Sequence, residues 1–306
     1  MKILLVVNSS ASSVTARSRV VIQKALSADH EVTFAETSRR GHATRLAQHA
    51  AGSGTDVVVV LGGDGTLNEA ANGLAGTATA LAPLPGGSTN VFARTLGLPD
   101  DPVEATGALL DALQRNSIRR VGLGSVNKRY FLFHCGIGFD AAVVAQVERR
   151  GHLKRYAGHP LFVWAAIDTW MRHYDRKHPH FSVHHEDGTA IDDGYFAICF
   201  NTDPYTYLGT RPLTVAPSAS LDSRLTMVTI RSLRINRVLG LVTNALRGKP
   251  IHSSRVVDEH VDVGSFTVRG HGPFPYQVDG DYLGEVTQLR FRYEPDIIDL
   301  VVPGAE

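Results

Sequence analysis

The chain has 306 residues, a formal net charge of +1, 43% apolar residues and 20% charged residues. That length suits two domains, each able to bury its own core, and the near-neutral charge argues against nucleic acid as the main partner. Its two cysteines, Cys135 and Cys199, form no CxxC pair, which argues against a disulfide framework or a cysteine zinc site and points to a reducing, cytoplasmic compartment.

The opening run Met1–Asn8 is too short for a signal peptide and reads as a buried first strand. A helix near Ala16–Leu26, a strand over Val32–Ala35, a helix near Ala43–Ala51 and a strand over Asp56–Leu61 follow. A helix after Thr66, a short strand near Thr79–Ala82, a turn at Pro83–Gly87 and helices near Asn90 and over Val103–Leu113 complete the first 115 residues. This alternation predicts a parallel, helix-covered sheet.

From Ser117 onward, strands are expected at Arg129–Cys135, Phe181–His185, Tyr195–Phe200, Leu225–Ile230 and Ser265–Val268, with a hairpin turn at Asp187-Gly188. Helical stretches are expected at Ala141–Arg150, Leu161–His173 and Arg237–Arg247. The segment Pro160–Met171 is interrupted by Asp168 and is shorter than the roughly 20 residues of a bilayer span, so membrane contact is expected to be peripheral. Trp164 and Trp170, with Leu161, Phe162, Val163 and Ile167, put large apolar groups on more than one side of their helix. Core packing is the default for them, and lining a lipid cleft or touching a bilayer is the alternative. The fourteen histidines are scattered, and the adjacent pair His184-His185 reads as surface residues on opposite faces of a strand.

The chemistry concentrates in two glycine turns. After the valine strand comes Gly62-Gly63-Asp64-Gly65-Thr66-Leu67-Asn68-Glu69, where a tight turn at a strand's C-terminal edge leads into a helix. The free N–H groups at such a helix start favour phosphate. A carboxylate repels phosphate, so Asp64 acts either through a bridging Mg2+ or as a helix cap. The second turn, Leu84-Pro85-Gly86-Gly87-Ser88-Thr89-Asn90-Val91-Phe92-Ala93-Arg94, follows the next strand of the sheet and would converge on the same crevice. No Walker-type Gly-x-x-x-x-Gly-Lys-Ser/Thr occurs, so the Gly-rich backbone and a metal ion would do the work of the missing lysine.

These two motifs together resemble the diacylglycerol kinase catalytic-domain family. The likeness continues through Gly136-Ile137-Gly138-Phe139-Asp140-Ala141, Ala216-Pro217-Ser218-Ala219-Ser220-Leu221-Asp222 and Val278-Asp279-Gly280-Asp281. The resemblance implies a Rossmann-like α/β ATP-binding domain over residues 1–122 plus 290–306, and an antiparallel β-sandwich lipid domain over 123–289. It implies ATP against Asn8, Ser9, Ser10, Thr37, the loop Gly63, Asp64, Gly65, Thr66, Leu67, Asn68 and Glu69, and Ser88.

Further roles follow from the same resemblance. Asp281, standing where the family usually has Glu, would be the base for the acceptor hydroxyl, with Asp64 as its catalytic partner through Mg2+. Asp140 would touch the lipid head group, and Asp222, with the backbone of Ala219 and Arg224, would hold a structural cation. Val91 and Gly122 stand where family members often carry Asp, which would thin the carboxylate network around a metal.

The implied activity is transfer of the ATP γ-phosphate to a membrane lipid, diacylglycerol first and a sphingoid base or ceramide next. The implied setting is cytoplasmic with peripheral membrane contact, and a homodimer is left open. An NAD kinase, which shares the Gly-Gly-Asp-Gly loop, and a nucleotide-binding regulator without catalysis are the rivals.

Overall fold

The computed structural model describes residues 1–149, 164–234, 236, 237, 240, 243 and 256–303. Leu161, Phe162 and Val163 of the expected helix at Leu161–His173, and most of the expected helix at Arg237–Arg247, lie outside the described residues. The chain divides into two compact units, residues 1–123 with 294–306, and residues 124–293.

The first unit is built from β1 (Lys2–Val7), α1 (Ala16–Leu26), β2 (Glu31–Glu36), α2 (His42–Gly52), β3 (Val57–Gly62), α3 (Asp64–Leu74), β4 (Ala80–Pro85), α4 (Val91–Thr95) and α5 (Pro102–Gln114). Its strands pair in parallel in the order β2-β1-β3-β4, and Leu300, near the chain's end, pairs in parallel with Leu81. Every residue of β3 is buried, as a central parallel strand covered on both faces requires. Helix starts carry their expected signals. Thr15 and Ser18 form a capping box on α1, and Asp101 accepts from Val103 and Glu104 ahead of Pro102 on α5.

One boundary departs from expectation. β4 runs on through Pro83 and Pro85, in register with Val60 and Gly62, where a turn from Pro83 was expected. Proline's fixed φ suits an extended strand, and its missing N–H removes a bond on one side only.

The second unit is antiparallel. After β5 (Ile118–Val126) come β6 (Arg129–Phe131), β7 (His134–Gly138), α6 (Phe139–Glu148), β8 (Phe181–His185), β9 (Ala190–Gly194) and β10 (Phe196–Phe200). Then follow β11 (Thr206–Leu208), β12 (Arg211–Leu213), β13 (Leu225–Ile230), β14 (Val257–Val263), β15 (Ser265–Val278) and β16 (Asp281–Val301). Strand β15 serves two neighbours: Phe266–Gly270 pairs with β8, and Tyr276–Val278 pairs with β7. Its pairing with β16 shifts register between Arg269 and Phe274, an irregularity that bends the strand between its β8-paired and β7-paired ends. The unit's core holds Phe131, Ile137, Phe181, Cys199, Met227, Phe266, Phe274 and Phe291, all buried. The expected α/β domain followed by an antiparallel β domain is the observed architecture.

Three local expectations are corrected. The strand expected over Arg129–Cys135 breaks at Leu132-Phe133, because the N–H groups there turn to the Asp279 carboxylate rather than to a neighbouring strand. His185 is not a surface residue. It is 8% exposed, and its ring stacks on His260 with centroids 3.8 Å apart. Trp164, Ile167 and Met171 do not pack into the core but are 43%, 55% and 61% exposed.

Candidate active site

In the first unit the two glycine turns meet backbone to backbone. The Gly86 N–H donates to Gly62 O at 2.9 Å, and a Cβ added at Gly86 would lie 2.8 Å from Gly62 N. One added at Gly87 would lie 2.8 Å from the Gly63 Cα. Real Cβ atoms do not come that close to backbone, so glycine at 86 and 87 is what lets the turns touch. Asn90 locks the second turn from within. Its φ is 51°, its Oδ1 accepts from the Gly86 and Gly87 N–H groups at 3.2 and 2.7 Å, and its Nδ2 donates to Asp100 at 2.8 Å.

Asp64 ties the turns together. Its two carboxylate oxygens accept the backbone N–H groups of Val91 and Phe92 at 3.0 and 3.1 Å. It is the first residue of α3, yet the helix it caps is α4. Of the two roles open to Asp64, the helix cap is the one these hydrogen bonds show. Both oxygens already serve the start of α4, and among the described residues no group of three or more His, Cys, Asp or Glu side chains could hold a metal ion. A Mg2+ at this turn would draw most of its oxygen ligands from phosphate and water, with Asp64 beside it.

What remains for phosphate is backbone. Gly63 is the N-cap of α3, and the first N–H groups of a helix have no partner within it, while the aligned peptide dipoles leave that end positive. Gly65 and Thr66 stand in this first turn, half-buried, with Ser88 exposed on the neighbouring turn. Asn8 Nδ2 donates to Thr66 Oγ1 at 2.9 Å, and Asn8 Oδ1 accepts from the Ser10 N–H at 3.1 Å, so the end of β1 is joined to the turn. Ser9 and Ser10 are exposed, and the half-buried Thr37 N–H donates to Val7 O at 2.9 Å.

Leu67 and Asn68 face inward at 4% and 1% exposure. Glu69 turns to the start of α2, accepting from the Gly41 and Ala43 N–H groups at 2.7 and 3.2 Å. The structure thus brings Asn8, Gly63, Asp64, Gly65, Thr66 and Ser88 around one turn pair. Leu67, Asn68 and Glu69 act as its scaffold.

In the second unit, Asp279-Gly280 is a two-residue hairpin turn between β15 and β16, with φ of 47° and 81° as a primed turn demands. Its first carboxylate is not solvated. Asp279 is 3% exposed and accepts from Leu132, Phe133 and His134 N–H groups at 2.7, 3.1 and 3.1 Å. Asp281, the next acid, is half-buried, with Arg129 Nη2 3.6 Å from its carboxylate.

Asp140 lies in the first turn of α6 at 5% exposure, accepting from the Tyr205 hydroxyl and, at 2.7 Å, from Gln277 Nε2. Burial pushes its carboxyl above the usual carboxylate range, and those two hydrogen bonds pull it back. Asp222 is exposed on a turn, where the Ala219 carbonyl already accepts the Asp203 N–H at 3.1 Å and Arg224 forks onto Asp262 at 3.0 and 3.1 Å.

Sequence reasoning missed Gln277, Tyr205 and Asn90. An isolated Gln or Tyr in a strand-rich region carries no signal of its partner. Asn90 alone could have been found, as a residue that tolerates positive φ beside two glycines.

The family model for the diacylglycerol kinase catalytic domain matches residues 2–126. A diacylglycerol kinase of Bacillus subtilis (strain 168) is 27% identical over 274 residues, spanning 86% of this chain and 84% of that one. Among solved structures, a diacylglycerol kinase from Bacillus anthracis str. Sterne covers 99% of this chain and 97% of its own, with a TM-score of 0.73 at 20% identity. An NAD kinase from Archaeoglobus fulgidus in complex with ATP covers 99% and 94%, with a TM-score of 0.56 at 12% identity. At those identities the two structures speak for the fold alone. Residues 2–126, which hold both glycine turns, thus match the model of the diacylglycerol kinase catalytic domain, and the chain as a whole is similar to phosphotransferases of the lipid kinase kind.

Proposed function

We propose that this protein transfers the γ-phosphate of ATP to the free hydroxyl of a membrane lipid, diacylglycerol first, giving phosphatidic acid and ADP. The observation that carries the reading is the contact of the two glycine turns at the start of α3, whose first backbone N–H groups have no partner within the helix. The Archaeoglobus NAD kinase of similar fold, solved with ATP, supports a nucleotide in this role.

The acceptor oxygen attacks the γ-phosphorus, the bond from that phosphorus to the β-phosphate's bridging oxygen breaks, and ADP leaves. The hydroxyl proton passes to Asp281, whose carboxylate lies 3.6 Å from Arg129 Nη2. Any divalent cation travels with the nucleotide's own phosphates. No described helix is long and apolar enough to cross a membrane. The exposed Trp164, Ile167 and Met171, with Arg172 73% exposed beside them, offer a face for peripheral contact.

The test is γ-labelled ATP offered with diacylglycerol in mixed micelles, with sphingosine, and with NAD. Label in phosphatidic acid is the expected result. Label in NADP, or ATP binding with no transfer to any acceptor, overturns it. Asp281→Asn is expected to lower transfer by about a hundredfold or more while ATP affinity stays within about twofold. Full activity in that variant would remove the base assignment.

A further inference from the structure

Gln277, on β15, is fully buried. Its carboxamide is used at both ends: Oε1 accepts the Gly280 N–H at 2.8 Å, and Nε2 donates to Asp140 Oδ2 at 2.7 Å. The Tyr205 hydroxyl donates to the other Asp140 oxygen, and Tyr205 in turn lies against the buried His134 ring, centroids 4.7 Å apart. Space for the chain of contacts is made by Gly136. A Cβ there would fall 1.6 Å from Asp140 Oδ2 and 2.5 Å from Gln277 Nε2.

Such a network is costly to bury and worth its cost only when every member is satisfied. Through Gln277 Oε1 it reaches the Gly280 N–H. That group sits inside the two-residue turn, immediately before Asp281. On the far side of Asp281, the Tyr282 N–H donates to Glu148 Oε1 at 3.0 Å, so the backbone is held on both flanks of the acid from α6 and β15.

We propose that Gln277, held by Asp140 and Tyr205, is a positioning residue for Asp281. Its amide clamps the turn so that the 281 carboxylate is presented in one orientation to the acceptor hydroxyl. This reassigns Asp140 from a head-group contact to the inner support of the base. The inference rests on the role given to Asp281 above. It goes beyond that role in naming a side chain that touches neither substrate.

Gln277→Met keeps the length of the side chain and removes both hydrogen bonds. It is expected to lower kcat for transfer to diacylglycerol in mixed micelles by about tenfold or more, with KM for ATP within about twofold, because small misplacements of a catalytic group are expensive. Asp140→Asn keeps an acceptor for Gln277 but loses the charge, and is expected to lower kcat by less than Gln277→Met does, with the lipid KM within about threefold. In an Asp281→Asn background, Gln277→Met should cost nothing further, since there is no base left to position.

An unchanged kcat in Gln277→Met, an equal loss in the Asp281→Asn background, or a tenfold rise in lipid KM on Asp140→Asn overturns the clamp. Full activity of Asp281→Asn would instead sink the base itself. Should Gln277→Met not fold, Tyr205→Phe removes only the outer bond, and amide exchange at Gly280 is expected to speed up by at least about threefold; unchanged exchange overturns the proposal. That readout needs no acceptor.

Discussion

Each unit of this protein carries an aspartate in a glycine turn, and in each the carboxylate faces backbone N–H groups. Asp64 is half-buried and takes two, at the start of a helix whose dipole assists it. Asp279 is almost fully buried and takes three, from a broken strand with no helix behind it. The difference shows how far an acid can be taken from water when its partners are fixed donors, and that an acid in a glycine motif can first of all be a fastener.

Asp279→Ala should break the comparison hardest. It leaves three buried N–H groups without an acceptor and puts alanine at φ 47°, so a loss of about 4 kcal/mol is expected in urea unfolding. A loss under about 1 kcal/mol would mean that the segment Leu132–His134 is held by something else.

In the first unit the counterpart of that rigidity is close backbone contact. Gly86→Ala would drive a methyl to within 2.8 Å of Gly62 N and of Val14 Cγ2, costing about 3 kcal/mol and weakening ATP binding as the turns part. Wild-type ATP affinity in that variant would show that the turns need not touch.

The segment Asp279 holds also carries His134, fully buried, whose burial lowers its pKa to about 3 from 6.5. The unfolded chain takes up that proton near pH 6.5 and the folded one only near 3, so stability falls as pH drops through this window. The contribution is about 2 kcal/mol between pH 7.5 and 5. Urea midpoints should show that limb in the wild type and a flatter profile in His134→Leu.

The smallest effect is expected from Asp64→Ala, about 1–2 kcal/mol, as for loss of a helix cap. If it equalled the Asp279→Ala loss, the difference in burial between the two turns would carry no energetic weight.

Much of the first unit was legible because its signals are local. The all-apolar β3 and the two glycine turns each depend on residues a few positions apart. The Asp187-Gly188 turn between β8 and β9 was readable for the same reason, with Gly188 at φ 87°. The break at Leu132-Phe133, the stacked His185 and His260, and the bond between Gln277 and Asp140 were not. Each joins residues whose separation, 75 to 147 positions, leaves no periodic trace.

From the residues alone came the α/β and antiparallel pattern, the phosphate-suited turns and the family likeness. What only the tertiary structure decided was how the acids are used. Composition and spacing can place a carboxylate in a turn, but whether it meets a cation, a substrate or a row of backbone N–H groups depends on which distant strand the fold lays beside it. For Asp64, Asp140 and Asp279, hydrogen-bond partners brought by folding occupy the oxygens. Asp281, paired with Arg129 at 3.6 Å, is the acid to which we assign the proton transfer.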